Sequence, residues 1–187
     1  REWLLEQLAR WADPGVRPLT PDETTSLPLR GGSVPLRWSS GRYTRIVHAG
    51  EGLVLQRPAN AGPGALTRAL RDFYEAEARA DLGRWLPAYL PGLRAAPSRI
   101  RLRQMSSQWG SLAPNGAMSL DLSLVLGDPA AFEYVLVHEL CHLIQPNHSP
   151  AFWSEVEARC PDWRRHRDYF RGEGARLKAT LRTLLTG

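Results

Sequence analysis

The chain has 187 residues, a hydrophobic share of 43% and a charged share of 23%, which is ordinary globular usage and enough to bury one real core. No apolar run reaches the roughly eighteen residues of a membrane-crossing helix, and there is no internal repeat or low-complexity tract. The net charge of +5 is carried almost wholly by arginine, Lys178 being the single lysine. A basic balance suits an anionic substrate or a nucleic-acid partner, but the arginines are scattered without a basic-aromatic stripe, as on a plain solvated surface.

Two cysteines, Cys141 and Cys160, would make an odd framework for a secreted domain of this size. The first residues, R-E-W-L-L-E-Q-L-A-R, lack the apolar centre and small-residue cleavage site of a signal peptide. Free thiols, a cytoplasmic location and no membrane association are therefore expected.

Residues 1–11 predict a short amphipathic helix, with Trp3, Leu4, Leu8 and Trp11 at helical spacing. Asp13-Pro14-Gly15 ends it, and a Pro- and Thr-rich connector follows to about Gly32. The expected organisation is thus an extension over residues 1–32 and one domain over residues 33–187. Residues 43–48 and 53–57 read as strands flanking the turn at 49–52. A helix is predicted over 65–85, burying Leu66, Leu70, Phe73 and Ala80 and closed off by Pro87, Pro91 and Pro97.

Residues 99–105 alternate with period two, placing Arg99, Arg101 and Arg103 on one face. A second alternating run puts Met118, Leu120, Leu122 and Leu124 together, and Asn115-Gly116 supplies a turn signal between them. These two runs are expected to pair antiparallel, with residues 106–114 as a loop. Asp128-Pro129 is a helix start, a capping acceptor followed by the residue best tolerated at the first helical position, and Pro146 must end that helix. Ser149-Pro150 repeats the signal, and Pro161 opens a last, basic helix towards Leu185.

The helix before Pro146 contains H-E-L-C-H, residues 138–142. Histidines four apart stand one turn apart on one helix face, so both imidazoles can reach a single cation. Glu139 between them is rotated off that axis, free to hold a water as general base instead of holding the metal. His148 sits in the tight corner between Pro146 and the Ser149 cap, where its ring can swing back and complete a three-histidine zinc site with one open position. The other reading is a corner histidine that merely caps a helix. If an acid on the next helix is the third ligand instead, Glu155 is the first candidate. His48 and His166 read as surface residues, and Cys141 as a small buried residue.

The segments W-G-S at 109–111, D-L-S-L at 121–124, Y-V-L-V-H-E-L-C-H-L at 134–143 and N-H-S-P-A-F-W at 147–153 resemble the YgjP-like metal-dependent hydrolases, zincins related to the SprT-like and WLM metallopeptidases. The resemblance covers residues 34–171, with the N-terminal helix and connector outside it. It implies an α+β, small zincin fold with an active-site helix beneath a mixed or antiparallel sheet and a leading β-hairpin. It further implies one zinc ion on His138, His142 and His148, with Glu139 as the acid-base. Gln108 stands where that family usually has a basic residue, Leu112 where a cysteine is common, and Asp121 where an asparagine is common.

Trp109, Gly110 and Ser111 can shape a substrate cleft, Gly110 by letting a substrate backbone approach and Ser111 by donating a hydrogen bond; equally, they can be a core tryptophan and a structural turn. Asn147 can orient the site by hydrogen bonding or serve only the corner. The leading function is a zinc metallopeptidase that adds an extended polypeptide to a sheet edge. The alternatives are a nucleotide hydrolase using the same metal with the Arg99-Arg101-Arg103 row on phosphate, and a DNA- or protein-binding module with structural zinc.

Overall fold

The computed structural model describes residues 16–186, so the helix predicted over 1–11 lies outside the described residues. The architecture is α+β. Strands β1 (Ser26–Leu29), β2 (Gly32–Ser40), β3 (Arg45–Ala49) and β4 (Gly52–Arg57) form a sheet in the order β1-β2-β4-β3. β1 and β2 are an antiparallel hairpin, as are β3 and β4, and the two hairpins join through a parallel β2–β4 pairing. The predicted 49–52 turn is the one joining β3 to β4.

Helix α1 (Pro63–Tyr89) then lies against this sheet through Leu66, Leu70 and Phe73, as expected, while Ala78 and not Ala80 takes the next inward position. Pro87 does not close the helix. It falls in the last turn, where its missing N–H forfeits a single backbone bond, and the helix runs on to Tyr89.

The segment expected as a connector carries a strand. Leu19, Leu27 and Leu29 are buried, and β1 turns into β2 through Arg30 and Gly31, both at positive φ (49° and 78°). Two consecutive left-handed residues give the tight hairpin whose twist matches the flanking strands. Arg-Gly is a weak turn signal, because arginine pays in steric strain at positive φ. Here the strain is offset by the Arg30 side chain, which reaches Asp81 on α1 through Nε and Nη2 (2.9 Å for the latter) and Glu77 through Nη1 (2.8 Å).

The second sheet has the order β5-β7-β6, from β5 (Arg99–Arg103), β6 (Gly110–Leu112) and β7 (Ala117–Asp121). β5 and β7 pair parallel, not antiparallel as expected. The Asn115-Gly116 turn belongs to β6, which lies in the stretch expected to be loop and forms the antiparallel hairpin with β7. β6 is therefore an edge strand. A 3-10 segment, Leu122–Leu126, fully buried, leads from β7 into helix α2 (Pro129–Cys141), followed by α3 (Pro150–Arg159) and α4 (Trp163–Leu184). α2 packs against α1, α3, α4 and the second sheet, with buried residues all round its circumference, so it is the central rod of the core. Among the described residues, no helix is long and apolar enough to cross a membrane.

Candidate metal centre and its cleft

Local sequence dictates where α2 begins and ends. The Asp128 carboxylate accepts from the Ala130 N–H, and Pro129 occupies the first turn. At the other end the chain leaves the helix at His142 and turns through Gln145, and Ser149 caps α3 by accepting from the Phe152 N–H at 3.3 Å. His148 lies in that corner, one residue before the cap.

The corner folds His148 back over α2. Its Nε2 stands 3.2 Å from His138 Nε2 and 3.1 Å from His142 Nε2, and the three ligand atoms all lie within 4.8 Å of one another. A tetrahedral zinc ion with its usual bond lengths holds nitrogen ligands about 3.3 to 3.4 Å apart, so this donor set fits such a group. His142 Nδ1 donates to the Gln145 carbonyl at 3.1 Å, which leaves Nε2 as the free lone pair. Phe152, fully buried, sits against all three rings, with centroids 4.4 Å from His142, 4.9 Å from His148 and 5.0 Å from His138. Burial, reinforced by the two neighbouring imidazoles, pushes His138 down to about 4, and burial also lowers His142. Both are then neutral at pH 7, the state in which imidazole binds metal.

Glu139 is 6% exposed, and burial pushes its carboxyl up to about 7. Gly110 explains how the carboxylate fits beneath β6. A Cβ there would fall 2.8 Å from Glu139 Cγ and 2.9 Å from Oε1. The close approach seen at this glycine is that of Glu139. Trp109 packs on Phe170 of α4 (centroids 4.6 Å), in a space that Gly174 keeps open.

Two cavities meet at Gln108, Gly110, His138 and Glu139. One, of about 650 Å³, runs along β6 past Ser111 and Leu112 and takes in all three histidines. The other, of about 390 Å³, opens on the α4 side between Trp109, Tyr134, Arg167 and Phe170. Trp109, Gly110 and Ser111 thus all reach the cleft, whereas Asn147 is exposed at the corner and lines neither cavity. Glu155 is turned to Arg159 at 2.6 Å and is not part of the histidine cluster.

His48 is exposed and paired with Glu77, in keeping with a surface residue. His166 is not at the surface: it is 8% exposed and stacks on Tyr134 at 5.8 Å. Its place in the run R-R-H-R disguised this, but Trp163, His166, Phe170, Gly174 and Leu177 recur at helical spacing and face inward. The same spacing carries Arg167 and Phe170 into the cleft, as it carries Tyr134 of α2. Arg167 and Phe170 are cleft residues that the motifs did not mark, and Tyr134 opens the 134–143 segment without having been given a role.

The YgjP-like metallopeptidase-domain family matches residues 1–173. The chain belongs to that family. The match begins at Arg1, so the N-terminal segment expected to stand outside the YgjP-like region is within it. Among solved structures the chain is similar to the crystal structure of the metallopeptidase zymogen of Pyrococcus abyssi abylysin, at 23% identity and a TM-score of 0.41, covering 54% of this chain and 93% of that one. No curated protein matches.

Proposed function

We propose that the protein is a zinc peptidase in which His138, His142 and His148 hold the ion and Glu139 is the general base. The observation that carries this reading is the convergence of three imidazole nitrogens beside a buried carboxylate at the floor of a cleft bordered by an open sheet edge. When bound, the metal supplies Lewis acidity, polarising a carbonyl and bringing a water's pKa to roughly 7.

The chain's own residues do the rest. Trp109 O accepts from Asp121 N and Ala113 N donates to Ala117 O, so the odd residues of β6 face β7 and the backbone groups of Gly110 and Leu112 face outward. An extended peptide that pairs with these groups lies across Glu139 and the histidines. Glu139 takes a proton from the attacking water and delivers it to the leaving amine nitrogen. Its burial beneath Gly110 shields the carboxylate from bulk solvent.

The alternatives have less support. Arg99, Arg101 and Arg103 are exposed on β5, at the opposite edge of the sheet from the cleft, which removes the phosphate contacts that this row was expected to supply. A structural zinc site is closed by four protein ligands, whereas among the described residues three histidines come together and border a cavity.

The test is cleavage of an unfolded polypeptide by the zinc-loaded protein, with and without chelator, beside Glu139→Gln. The variant should retain zinc by elemental analysis while turnover falls by roughly a hundredfold to ten-thousandfold. Turnover at the wild-type rate in Glu139→Gln would sink the assignment.

A further inference from the structure

The cavity on the α4 side has a composition that peptide-bond chemistry alone does not require. Its walls are largely aromatic and aliphatic, from Trp109, Tyr134, Val135 and Phe170, yet it is lined by two arginines, Arg167 and Arg171. Arg171 is a surface residue paired with Asp168 at 3.0 Å. Arg167 is half-buried and held differently. Its guanidinium lies over Trp153 and Trp163, at 5.5 Å and 5.4 Å from the ring centroids, and those two rings stack on each other at 4.4 Å. Among the described residues no carboxylate is paired with it; Glu139 lines the same cavity without forming an ion pair to it.

Aromatic faces hold a guanidinium in place without using its N–H groups, which leaves the donor fork free for a planar anion. A half-buried cation in an apolar-walled cavity acts in a lower effective dielectric than a surface arginine and attracts an anion more strongly. We propose that Arg167 makes this cavity a carboxylate-recognising subsite, so that the peptide substrate presents an anionic group, either a chain-terminal carboxylate or an Asp or Glu side chain, beside the bond attacked. This rests on the peptidase reading and specifies its substrate class. The flat fork and the mainly apolar walls suit a single carboxylate on a peptide better than a polyphosphate, which needs several cations.

The two carboxylate sources are separable by binding. Full-length Glu139→Gln, with zinc and after chelation, is titrated by calorimetry with three acetylated tripeptides of equal length. One has neutral side chains and a free C-terminus, one is amidated with a single glutamate, and one is amidated and neutral. At least one anionic peptide should bind more tightly than the neutral amide, by on the order of tenfold to a hundredfold, and which one does identifies the source. The advantage should collapse towards unity when Arg167→Gln is added and partly return with Arg167→Lys, which keeps the charge without the fork.

Equal affinities for all three peptides with Arg167 intact overturn the proposal, whatever the folding of the variants. So does an advantage that disappears on chelation, since the carboxylate would then be seeking the metal, or one that survives Arg167→Gln in a protein of native circular dichroism. Stronger competition by a nucleoside triphosphate than by either anionic peptide overturns it as well. Because binding is read without turnover, failure of the wild type to cleave any polypeptide counts against the peptidase reading alone.

Discussion

In the four-stranded sheet Arg30 reaches from the β1–β2 turn to Asp81 on α1; in the three-stranded sheet Lys178 reaches from α4 to Asp121 at the end of β7. Both acids are buried, at 1% and 2% exposure, and both pairs tie a strand end to a helix. Their surroundings differ. Asp81 is met by two guanidinium groups, Arg30 and Arg84, and the adjoining Glu77 takes His48 and Arg30. Burial raises the Glu77 carboxyl, but the hydrogen bonds from His48 and Arg30 outweigh it and hold it below its ordinary value.

Asp121 is instead embedded in backbone, accepting from the Met105 and Ser123 N–H groups. Lys178 Nζ donates in turn to the Met105 and Gln108 carbonyls and lies over the Trp109 ring at 4.3 Å. The first pair is a clamp whose residues line neither cavity of the histidine cleft. The second holds the segment that ends in Trp109 and Gly110, directly above Glu139. One kind of interaction therefore serves stability in one sheet and site geometry in the other, and the two roles separate by substitution.

The largest expected effect is at that first clamp. Arg30→Gly suits the backbone, whose φ is 49°, so the turn itself is not strained by the change and the loss is dominated by the side chain's contacts. Stripping Arg30 leaves Asp81 buried with only Arg84, which is mostly exposed, and should cost about 3 kcal/mol of unfolding free energy in a denaturant titration. The kcat/KM of the folded fraction should not change. A stability loss under about 0.5 kcal/mol would show that the clamp is ornamental.

Next comes Gly110→Ala, which touches no charged pair but strikes the other sheet at its contact with the site. The new Cβ would fall 2.8 Å from Glu139 Cγ, so the carboxylate must shift. Activity should fall about a hundredfold, because a displacement near 1 Å suffices for that, while zinc content stays at wild-type level by elemental analysis. Wild-type activity would mean that β6 can retreat and that its position does not govern Glu139.

The convergence of the three histidines was legible because every determinant is local. Asp128-Pro129 starts α2, the four-residue interval aligns His138 with His142, and Pro146 with Ser149 turns His148 back. What was not legible depends on partners distant in sequence. Residues 99–103 alternate in the same way whichever direction their neighbour runs, and β6, only three residues long, is too short to show a period. Arg30, a weak turn residue, stands in the hairpin with its side chain received by Asp81 and Glu77, about fifty residues on. His166 read as a surface residue until helical phase turned it inward, and the same phase sets Arg167 over Trp163 in the cavity that Phe170 lines.

Lys178→Met should give the smallest effect and the most informative one. Asp121 keeps three donors after the ammonium is lost, the N–H groups of Met105 and Ser123 and the Ser123 hydroxyl, so its burial remains largely compensated. The stability loss should be about 1 to 2 kcal/mol, below that of Arg30→Gly. The carbonyls of Met105 and Gln108 lose their common donor, however, and the Trp109 ring loses its cation. The segment above Glu139 then loosens, and kcat/KM should drop on the order of tenfold in fully folded protein with zinc still bound. Thermal melting and turnover measured on the same sample decide it. Loss of activity in proportion to unfolded protein would make Lys178 a second Arg30, and the distinction between the two sheets would fall.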